Sequence, residues 1–322
     1  MSNVKAYGAF LDDDNDILKS SSGGVATAFA RKVIESEGVV FGVAYSEDCM
    51  EAEYIKVTKS VDIEKLRGSK VIDIRLNGCF EKVQEALKDD KIVLFFGLPC
   101  VNAALLKYLK KDYDNLIRCE LICSGRVPKQ VHIDYCNYLK KKYKSEITSF
   151  TVRGKKDGWL PEYLIAHFSN GATFTAPFKR TEYGQAFKIL KEKQCLNCMF
   201  KGENRTGDIM IGDYWGIDEK NSNYNKNGVS AVLIESTKGL DFFYSVSGIN
   251  RFETTFEDVI KNNPSIVTSV SEHTERNIIE FTFNKKGLFP AMKKSKTMRH
   301  IRRVDLVKKI PVINMLIEEL RK

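Results

Sequence analysis

The chain has 322 residues, 43% hydrophobic and 29% charged, a composition typical of a soluble globular protein of one large domain or two. The sequence has no apolar run of the roughly 20 residues that a membrane span needs, and no apolar signal segment at its N-terminus. We therefore expect a cytoplasmic protein. Its eight cysteines then indicate reduced thiols, some of them ligands, and exclude a secreted disulfide framework.

The net charge of +9 is concentrated near the C-terminus. Residues 285–322 hold twelve Lys and Arg against three Asp and Glu, so residues 1–284 are formally neutral. The body of the protein therefore lacks the charge of a nucleic-acid-binding surface, and only the C-terminal segment is basic.

The first half alternates short β-rich runs with amphipathic helices, which predicts an α/β core. The predicted strands are 39–45, 91–96 and 116–122, and the predicted helices are 25–37, 80–88, 101–110 and 129–142. Between about 147 and 177 the pattern changes to hairpin strands, with Asn170-Gly171 as a turn signal. A helix at 182–190, a strand at 229–235 and a helix at 240–247 are predicted to follow.

The predicted fold is thus mixed α/β: an α/β core, an inserted antiparallel hairpin region and a C-terminal helical tail. We divide the chain into residues 1–145, 146–284 and 285–322. In the tail, apolar residues recur every three or four positions between basic ones, and Pro311 is expected to kink or split the helix. This apolar stripe either packs on the body or leaves a basic face free to meet an anionic surface. Its members are Ile301, Val304, Leu306, Val307, Ile310, Ile313, Ile317 and Leu320.

A serine- and glycine-rich segment, residues 20–27, opens the first long predicted helix. Glycines allow close backbone approach to a ligand, and free N–H groups at a helix N-terminus attract phosphate. Simple capping of the helix by Ser22 is the alternative. A second short turn, Gly68-Ser69-Lys70, is uninformative by itself.

Two cysteines follow buried strands at equivalent positions. Phe96-Gly97-Leu98-Pro99-Cys100 ends one strand and opens a helix, and Ile122-Cys123-Ser124 repeats that arrangement. Ligands of α/β sheets bind at such strand ends. We therefore interpret both thiols as candidate ligands.

Cys195 and Cys198 form a C-x-x-C pair, whose two thiols can bind one metal centre. Cys100 and Cys123 complete a set of four, which suits either zinc or an iron–sulfur cubane. Cysteines 49, 79, 119 and 136 are predicted to be structural. The segment 153–159 is predicted to be a solvated hairpin with basic residues and a tryptophan.

With these motifs in order, the chain resembles the coenzyme F-420 hydrogenase/dehydrogenase beta-subunit family. The resemblance covers about residues 5–235. Its motifs are S-S-G-G-V-A-T at 21–27, G-S-K at 68–70, L-F-F-G-L-P-C at 94–100, L-I-C-S-G at 121–125, G-W at 158–159, and C-x-x-C followed by R-x-G-D-I-x-I-G-D-Y-W-G at 195–216. The chain is similar to a shorter bacterial type that lacks an N-terminal ferredoxin module and is found with surface-polysaccharide assembly enzymes.

The resemblance implies an iron–sulfur flavoprotein that moves electrons between a [4Fe–4S] cluster and FAD to reduce or oxidise a small substrate. It supports Cys100, Cys123, Cys195 and Cys198 as cluster ligands. A redox donor such as ferredoxin is the implied partner, and segment 285–322 could dock on a membrane or a polysaccharide-assembly protein. A non-redox protein with a structural metal is the alternative. The implied cofactor-binding residues are Ser21, Ser22, Gly23, Gly24, Gly68, Ser69 and Lys70, to which we add Gly97 and Pro99 from their place at a strand end.

Overall fold

The computed structural model describes residues 4–203 and 205–307. The helices and strands of this part alternate through most of its length. In chain order they are β1 (Lys5–Leu11), α1 (Asp14–Leu18), α2 (Val25–Glu35), β2 (Val39–Tyr45), β3 (Ala52–Val57), α3 (Cys79–Lys88), β4 (Val93–Gly97), α4 (Pro99–Leu109), β5 (Leu116–Leu121), α5 (Lys129–Tyr143), β6 (Ile147–Gly154), β7 (Tyr163–Phe168), β8 (Thr173–Pro177), α6 (Glu182–Ile189), α7 (Lys193–Leu196), β9 (Ile209–Asp213), β10 (Ser230–Ile234), α8 (Thr237–Ser245), β11 (Ile249–Thr254), α9 (Phe256–Lys261), α10 (Arg276–Lys286), α11 (Leu288–Met292) and α12 (Lys296–Val307). Short 3₁₀ turns lie at Ser60–Leu66, Phe178–Arg180 and Pro264–Ile266.

Eight strands form one mixed sheet in the order β11-β1-β10-β9-β5-β4-β2-β3. The four neighbours β9, β5, β4 and β2 are parallel, and the other strands join antiparallel. β4 reads Val-Leu-Phe-Phe-Gly and is buried along its whole length, as expected of a parallel strand covered on both faces. The carboxyl ends of the parallel strands therefore meet at one edge, where Asp213 ends β9 and pairs with Ser230, the first residue of β10.

The strands β6, β7 and β8 form a separate antiparallel sheet. The predicted turn Asn170-Gly171 connects β7 to β8, with Gly171 at a φ of +82° and the Asn170 side chain accepting a hydrogen bond from the Ala172 N–H at 3.1 Å. The predicted hairpin is thus confirmed. This sheet packs with α5 and α6 around the buried rings of Tyr135 and Tyr183.

The predicted mixed α/β class is confirmed, and the strands and helices predicted between 25 and 247 are present with shifts of a few residues at their ends. Four strands were not predicted. β1, β3 and β11 pair antiparallel toward the two edges of the large sheet, and β9 lies within it between β10 and β5. The division into three domains stays a prediction. The large sheet takes strands from both sides of residue 145, and residue 285 lies within α10.

The described part of the predicted tail packs on the body. Met298 and Ile301 of α12 belong to the hydrophobic cluster around α5 and α6, and Arg302 Nη2 donates to Glu182 Oε1 at 3.0 Å. Pro311 and the apolar positions beyond it lie outside the described residues. Among the helices of residues 4–203 and 205–307, none combines the length and the apolar character that crossing a bilayer requires.

Candidate cofactor site

A cavity of about 890 Å³ lies at the edge where the parallel strands end, and its volume is in the range of cofactor sites. Its walls come from the loops after β1, β4, β5 and β9 and from the first residue of β10. The structure brings seven of the nine predicted cofactor-binding residues to these walls, and Gly23 and Pro99 lie outside them. The seven are Ser21, Ser22, Gly24, Gly68, Ser69, Lys70 and Gly97.

The two serine-containing loops touch each other at the cavity wall. Ser21 Oγ and Ser69 Oγ are hydrogen-bonded at 3.1 Å. Ser22, in contrast, directs its hydroxyl to the sheet, where it donates to the Val229 carbonyl at 2.9 Å and accepts from Ser230 Oγ at 3.2 Å. Ser22 therefore fastens the loop to β10 and does not cap α2, whose N-terminus has no side-chain cap.

The two glycines of this loop are explained by packing within the protein. A Cβ on Gly23 would lie 2.5 Å from the Ala9 carbonyl oxygen and 2.8 Å from the Ser230 nitrogen. Gly24 has a φ of +86° at the start of α2, where a Cβ would meet Leu11 at 2.3 Å. Packing against the sheet therefore explains the glycine at position 23 without a ligand, and the prediction that Gly23 contacts a cofactor stays a prediction.

We expect the Gly23→Ala variant to lower the free energy of unfolding by about 3 kcal/mol, the upper end of the usual cost of overpacking, because the added methyl meets backbone atoms that cannot turn away. Urea denaturation followed by circular dichroism measures this change. An unchanged midpoint and slope would show that the loop can move off β1 without cost.

The ammonium group of Lys70 binds backbone carbonyls just before it in the chain. Lys70 Nζ donates to the carbonyls of four residues of its own turn at 2.7 to 3.2 Å, namely Lys65, Leu66, Arg67 and Gly68. Burial lowers the pKa of Lys70 to about 7. The ammonium group thus organises the turn that carries Ser69, while the residue as a whole lines the cavity.

The segment predicted as a solvated hairpin does connect the antiparallel strands β6 and β7, and Lys156 and Asp157 are exposed. Its two ends differ from the prediction, since Arg153 lines the cavity and Trp159 is buried. Arg153 forms ion pairs with Asp213 and, at 2.5 Å, with Glu162, and its Nη1 donates to Ser69 Oγ at 3.4 Å. Trp159 is only 5% exposed and donates from Nε1 to Asp213 Oδ1 at 3.1 Å. Arg153 therefore connects the small sheet, the end of β9 and the Ser69 turn.

Lys155 reaches the other serine loop from the same segment. Its Nζ donates to the carbonyls of Ser22 at 2.6 Å and Ile17 at 2.8 Å, and burial lowers its pKa to about 7. Within residues 4–203 and 205–307, all hydrogen bonds of the Lys70 and Lys155 ammonium groups go to carbonyl oxygens. Neither lysine is paired with a carboxylate among the residues that the structure describes.

The charges on the cavity wall favour an anionic ligand. Five basic side chains and two acidic ones line it, although the body of the chain is neutral. Both acids, Glu162 and Asp213, are already paired with Arg153. Arg67 and Arg126 pair with acidic residues outside the wall, so only Lys70 and Lys179 lack an ion pair among the described residues. The basic residues are Arg67, Lys70, Arg126, Arg153 and Lys179.

The four predicted cysteine ligands lie near one another beside this cavity. Cys123 is part of the cavity wall, and its Sγ accepts a hydrogen bond from the Gly125 N–H at 3.2 Å. Cys195 approaches the same loop, since a Cβ on Gly125 would lie 3.1 Å from Cys195 Cβ. Desolvation raises the pKa of the Cys100 thiol, and the neighbouring thiols of Cys123 and Cys198 raise it further.

Among the residues described, no three His, Cys, Asp or Glu side chains form a group that could hold a metal ion. Burial raises the pKa of Cys123, and the positive charges of Lys201 and Lys191 beside it offset part of that rise. Cysteines 49, 79, 119 and 136 are buried in hydrophobic clusters, as expected of structural residues.

Residues 262–271, here called the strap, form a further part of the cavity wall and were missed by the sequence analysis. Ser269 Oγ accepts a hydrogen bond from the Cys198 N–H at 2.8 Å, and Asn263 Nδ2 donates to the Asp213 carbonyl at 3.1 Å. The strap therefore contacts both the C-x-x-C segment and the end of β9. Its only sequence signal is a run of Asn, Ser and Thr, which is typical of any surface loop.

Comparison with known proteins gives two findings. The sequence profile for the C terminus of the coenzyme F420 hydrogenase/dehydrogenase beta subunit matches residues 90–258, which is more than half of the chain. The fold is similar to that of a protein in the F420-reducing [NiFe] hydrogenase complex from Methanosarcina barkeri, solved after xenon derivatization. The TM-score is 0.54 at 14% identity, over 87% of this chain and 94% of that one. No curated protein matches the chain significantly.

Proposed function

Because the chain belongs to the coenzyme F420 hydrogenase/dehydrogenase beta-subunit family, whose name indicates an oxidoreductase role, we propose that it is an iron–sulfur flavoprotein that exchanges electrons between a [4Fe–4S] cluster and FAD. One observation carries the proposal. A cationic cavity with two joined serine loops has Cys123 in its wall, beside three other cysteines. A flavin in that cavity would lie next to the cluster ligands.

The residues beside the serine loops fit the diphosphate of FAD. Lys70 follows Ser69 directly in the chain and Lys155 binds the carbonyl of Ser22, and neither lysine forms an ion pair within the described residues. Uncompensated cations in a partly buried site favour the binding of an anion. Ser21 and Ser69 would hold phosphate oxygens, and Arg153 and Lys155 would keep the two loops in place.

Cysteines 100, 123, 195 and 198 would hold the cluster. When bound, the flavin supplies the change between single-electron and hydride chemistry on a substrate. The chain positions Cys123 at the cavity wall, compensates thiolate charge with Lys191 and Lys201, and covers the site with the strap.

The substrate is proposed to be small and anionic, since the basic side chains of the wall outnumber the acidic ones. The similar protein from Methanosarcina barkeri is part of a hydrogenase complex, which supports a protein redox partner such as a ferredoxin. A place in surface-polysaccharide biosynthesis, and docking of residues 285–322 on a membrane or partner, stay predictions.

The proposal is tested by the absorption spectrum of protein purified without oxygen. We expect flavin bands together with a broad iron–sulfur shoulder that is lost on exposure to air. Protein that binds neither flavin nor iron after anaerobic reconstitution would favour the non-redox alternative.

The two lysines predict an unusual pH dependence. Burial holds the pKa of Lys70 and of Lys155 at about 7, so both are charged below that pH and increasingly neutral above it. We expect the dissociation constant of FAD to increase as pH rises from 6 to 8.5. The free energy of unfolding of the cofactor-free protein should increase over the same pH range. The unfolded chain keeps these lysines protonated up to their ordinary pKa near 10.4, so the folded state gains stability above pH 7.

Isothermal titration of cofactor-free protein with FAD, at several pH values, measures the first trend, and thermal melts measure the second. In the Lys70→Met, Lys155→Met double variant, FAD should bind more weakly and with little dependence on pH. Retention of the full pH dependence in this variant would assign it to other groups.

A further inference from the structure

Lys201 joins three parts of the thiol region through a single ammonium group. Its Nζ donates to the carbonyl of Cys123 at 2.6 Å and also to the carbonyl of Ser265. The first acceptor lies in the loop after β5, and the second lies in the strap. Lys201 itself follows the C-x-x-C pair by three residues.

The strap also contacts the segment that carries Cys198. Ser269 accepts from the Cys198 N–H at 2.8 Å, so the segment 198–201 meets the strap at both of its ends. Arg205 extends this attachment, because its Nη2 donates to the Ile266 carbonyl and its Nε to the Gly202 carbonyl at 3.1 Å. The strap therefore holds the Cys198 end of the C-x-x-C segment, whereas the Cys195 end contacts the loop of Cys123 directly.

We propose that Lys201 is a positioning residue that fixes the separation between Cys123 and Cys198. An ammonium group has three donors and can hold two carbonyls at once, and charge-assisted hydrogen bonds are stronger than neutral ones. Both acceptors of Lys201 are backbone carbonyls, so it acts through the backbone that carries Cys123 and through the strap that holds Cys198. The inference rests on the proposed function, because the separation between Cys123 and Cys198 would allow both thiols to bind the cluster.

The strap also lines the cavity, as do Ser265 and Ser269 within it. Removal of the Lys201 amine would therefore release two carbonyls and loosen one wall of the cavity together with the thiol region. Met is close to Lys in length but cannot donate, whereas Arg keeps the charge and several donors.

The test is the rate of maleimide labelling of each cysteine in cofactor-free protein, followed by peptide mass spectrometry. We expect the Lys201→Met variant to label about tenfold faster at Cys123 and Cys198, and the Lys201→Arg variant to label at close to the wild-type rate. Lys193→Met, an exposed position in the same segment, is the matched control and should change neither rate. Cys136, with no exposed surface, reports global opening and should remain unlabelled in every variant.

A second variant keeps the proposal testable if Lys201→Met does not fold. Ser269→Ala removes the hydroxyl that accepts from the Cys198 N–H at 2.8 Å and donates to the Cys198 carbonyl at 3.5 Å, so it should accelerate labelling of Cys198 and leave Cys123 unchanged. Wild-type labelling rates in Lys201→Met, or faster labelling that Lys201→Arg does not reverse, would overturn the proposal. So would a Ser269→Ala variant with unchanged labelling of Cys198.

Iron and sulfide content after anaerobic reconstitution separates this inference from the proposed function. Lys201→Met should bind less iron than wild type and Lys201→Arg should recover it. If the wild-type protein itself binds no iron, the proposed cluster is wrong, and the labelling rates still decide whether Lys201 positions the thiols.

Discussion

Replacement of Cys123 or Cys195 by serine is expected to remove nearly all of the iron that the reconstituted wild-type protein binds. The two residues approach the same loop, since a Cβ on Gly125 would lie 3.6 Å from the Cys195 Sγ and the Gly125 N–H donates to Cys123. A serine oxygen is a poor ligand for iron in a sulfide cluster, which prefers thiolate. Cluster binding also contributes folding free energy, so both variants should melt at lower temperature than the loaded wild type.

Iron and acid-labile sulfide analysis, with thermal melts in the loaded and unloaded states, measures both effects. Cys136→Ala is the control, because Cys136 is completely buried in the hydrophobic cluster beside His132 and should cost only about 1 kcal/mol of stability. Its iron content should equal that of wild type. Full iron occupancy in Cys195→Ser would contradict the ligand assignment.

The Arg153→Met variant should lose about 3 kcal/mol of unfolding free energy and most of its bound flavin. Arg153 is the ion-pair partner of both Asp213 and Glu162, whose side chains are only 7% and 12% exposed. Removal of one partner from a buried ion pair is costly because the remaining charge stays desolvated. Ser69 would also lose its link to the small sheet, which explains the expected loss of flavin.

Urea denaturation and the flavin absorbance of the purified protein measure these two losses. Arg75→Met is a matched control, since Arg75 pairs with Glu51 at 2.6 Å but its side chain is 62% exposed. An exposed ion pair contributes little to stability because water screens it, so the control should fold almost as stably as wild type and keep its flavin. If both variants lost the same free energy of unfolding and the same amount of flavin, the ion pairs of Arg153 would not be more important than an exposed pair.

Much of the sheet and several site residues could be predicted from local sequence patterns. The apolar run of β4 and the Asn170-Gly171 turn are strong local signals, and both lead to the observed elements. The placement of Cys100 and Cys123 after neighbouring parallel strands followed from the rule that such strand ends meet at one edge. Local sequence periodicity and a rule of sheet topology are sufficient to predict these features.

The remaining features depend on contacts between distant parts of the chain. The local sequence around Arg153 indicates a solvated hairpin, because nothing near it in sequence shows that Asp213 lies beside it. The strap has the composition of an ordinary loop, and its contact with Cys198 spans 71 positions. The sequence pattern assigns Gly23 to a ligand although the sheet itself excludes a side chain there, since β1 and β10 are brought together by long-range pairing.

The placement of β1 between β10 and β11 also constrains the order of events during synthesis. β1 emerges first, yet its neighbours in the sheet are residues 230–234 and 249–254. Long-range pairing of this kind makes folding slow and leaves strand edges exposed meanwhile. The loop after β1 is fastened to Ser230, so it cannot take its final shape until β10 has been made. Cofactor loading must therefore follow translation of β10, and β1 stays without this neighbour until then.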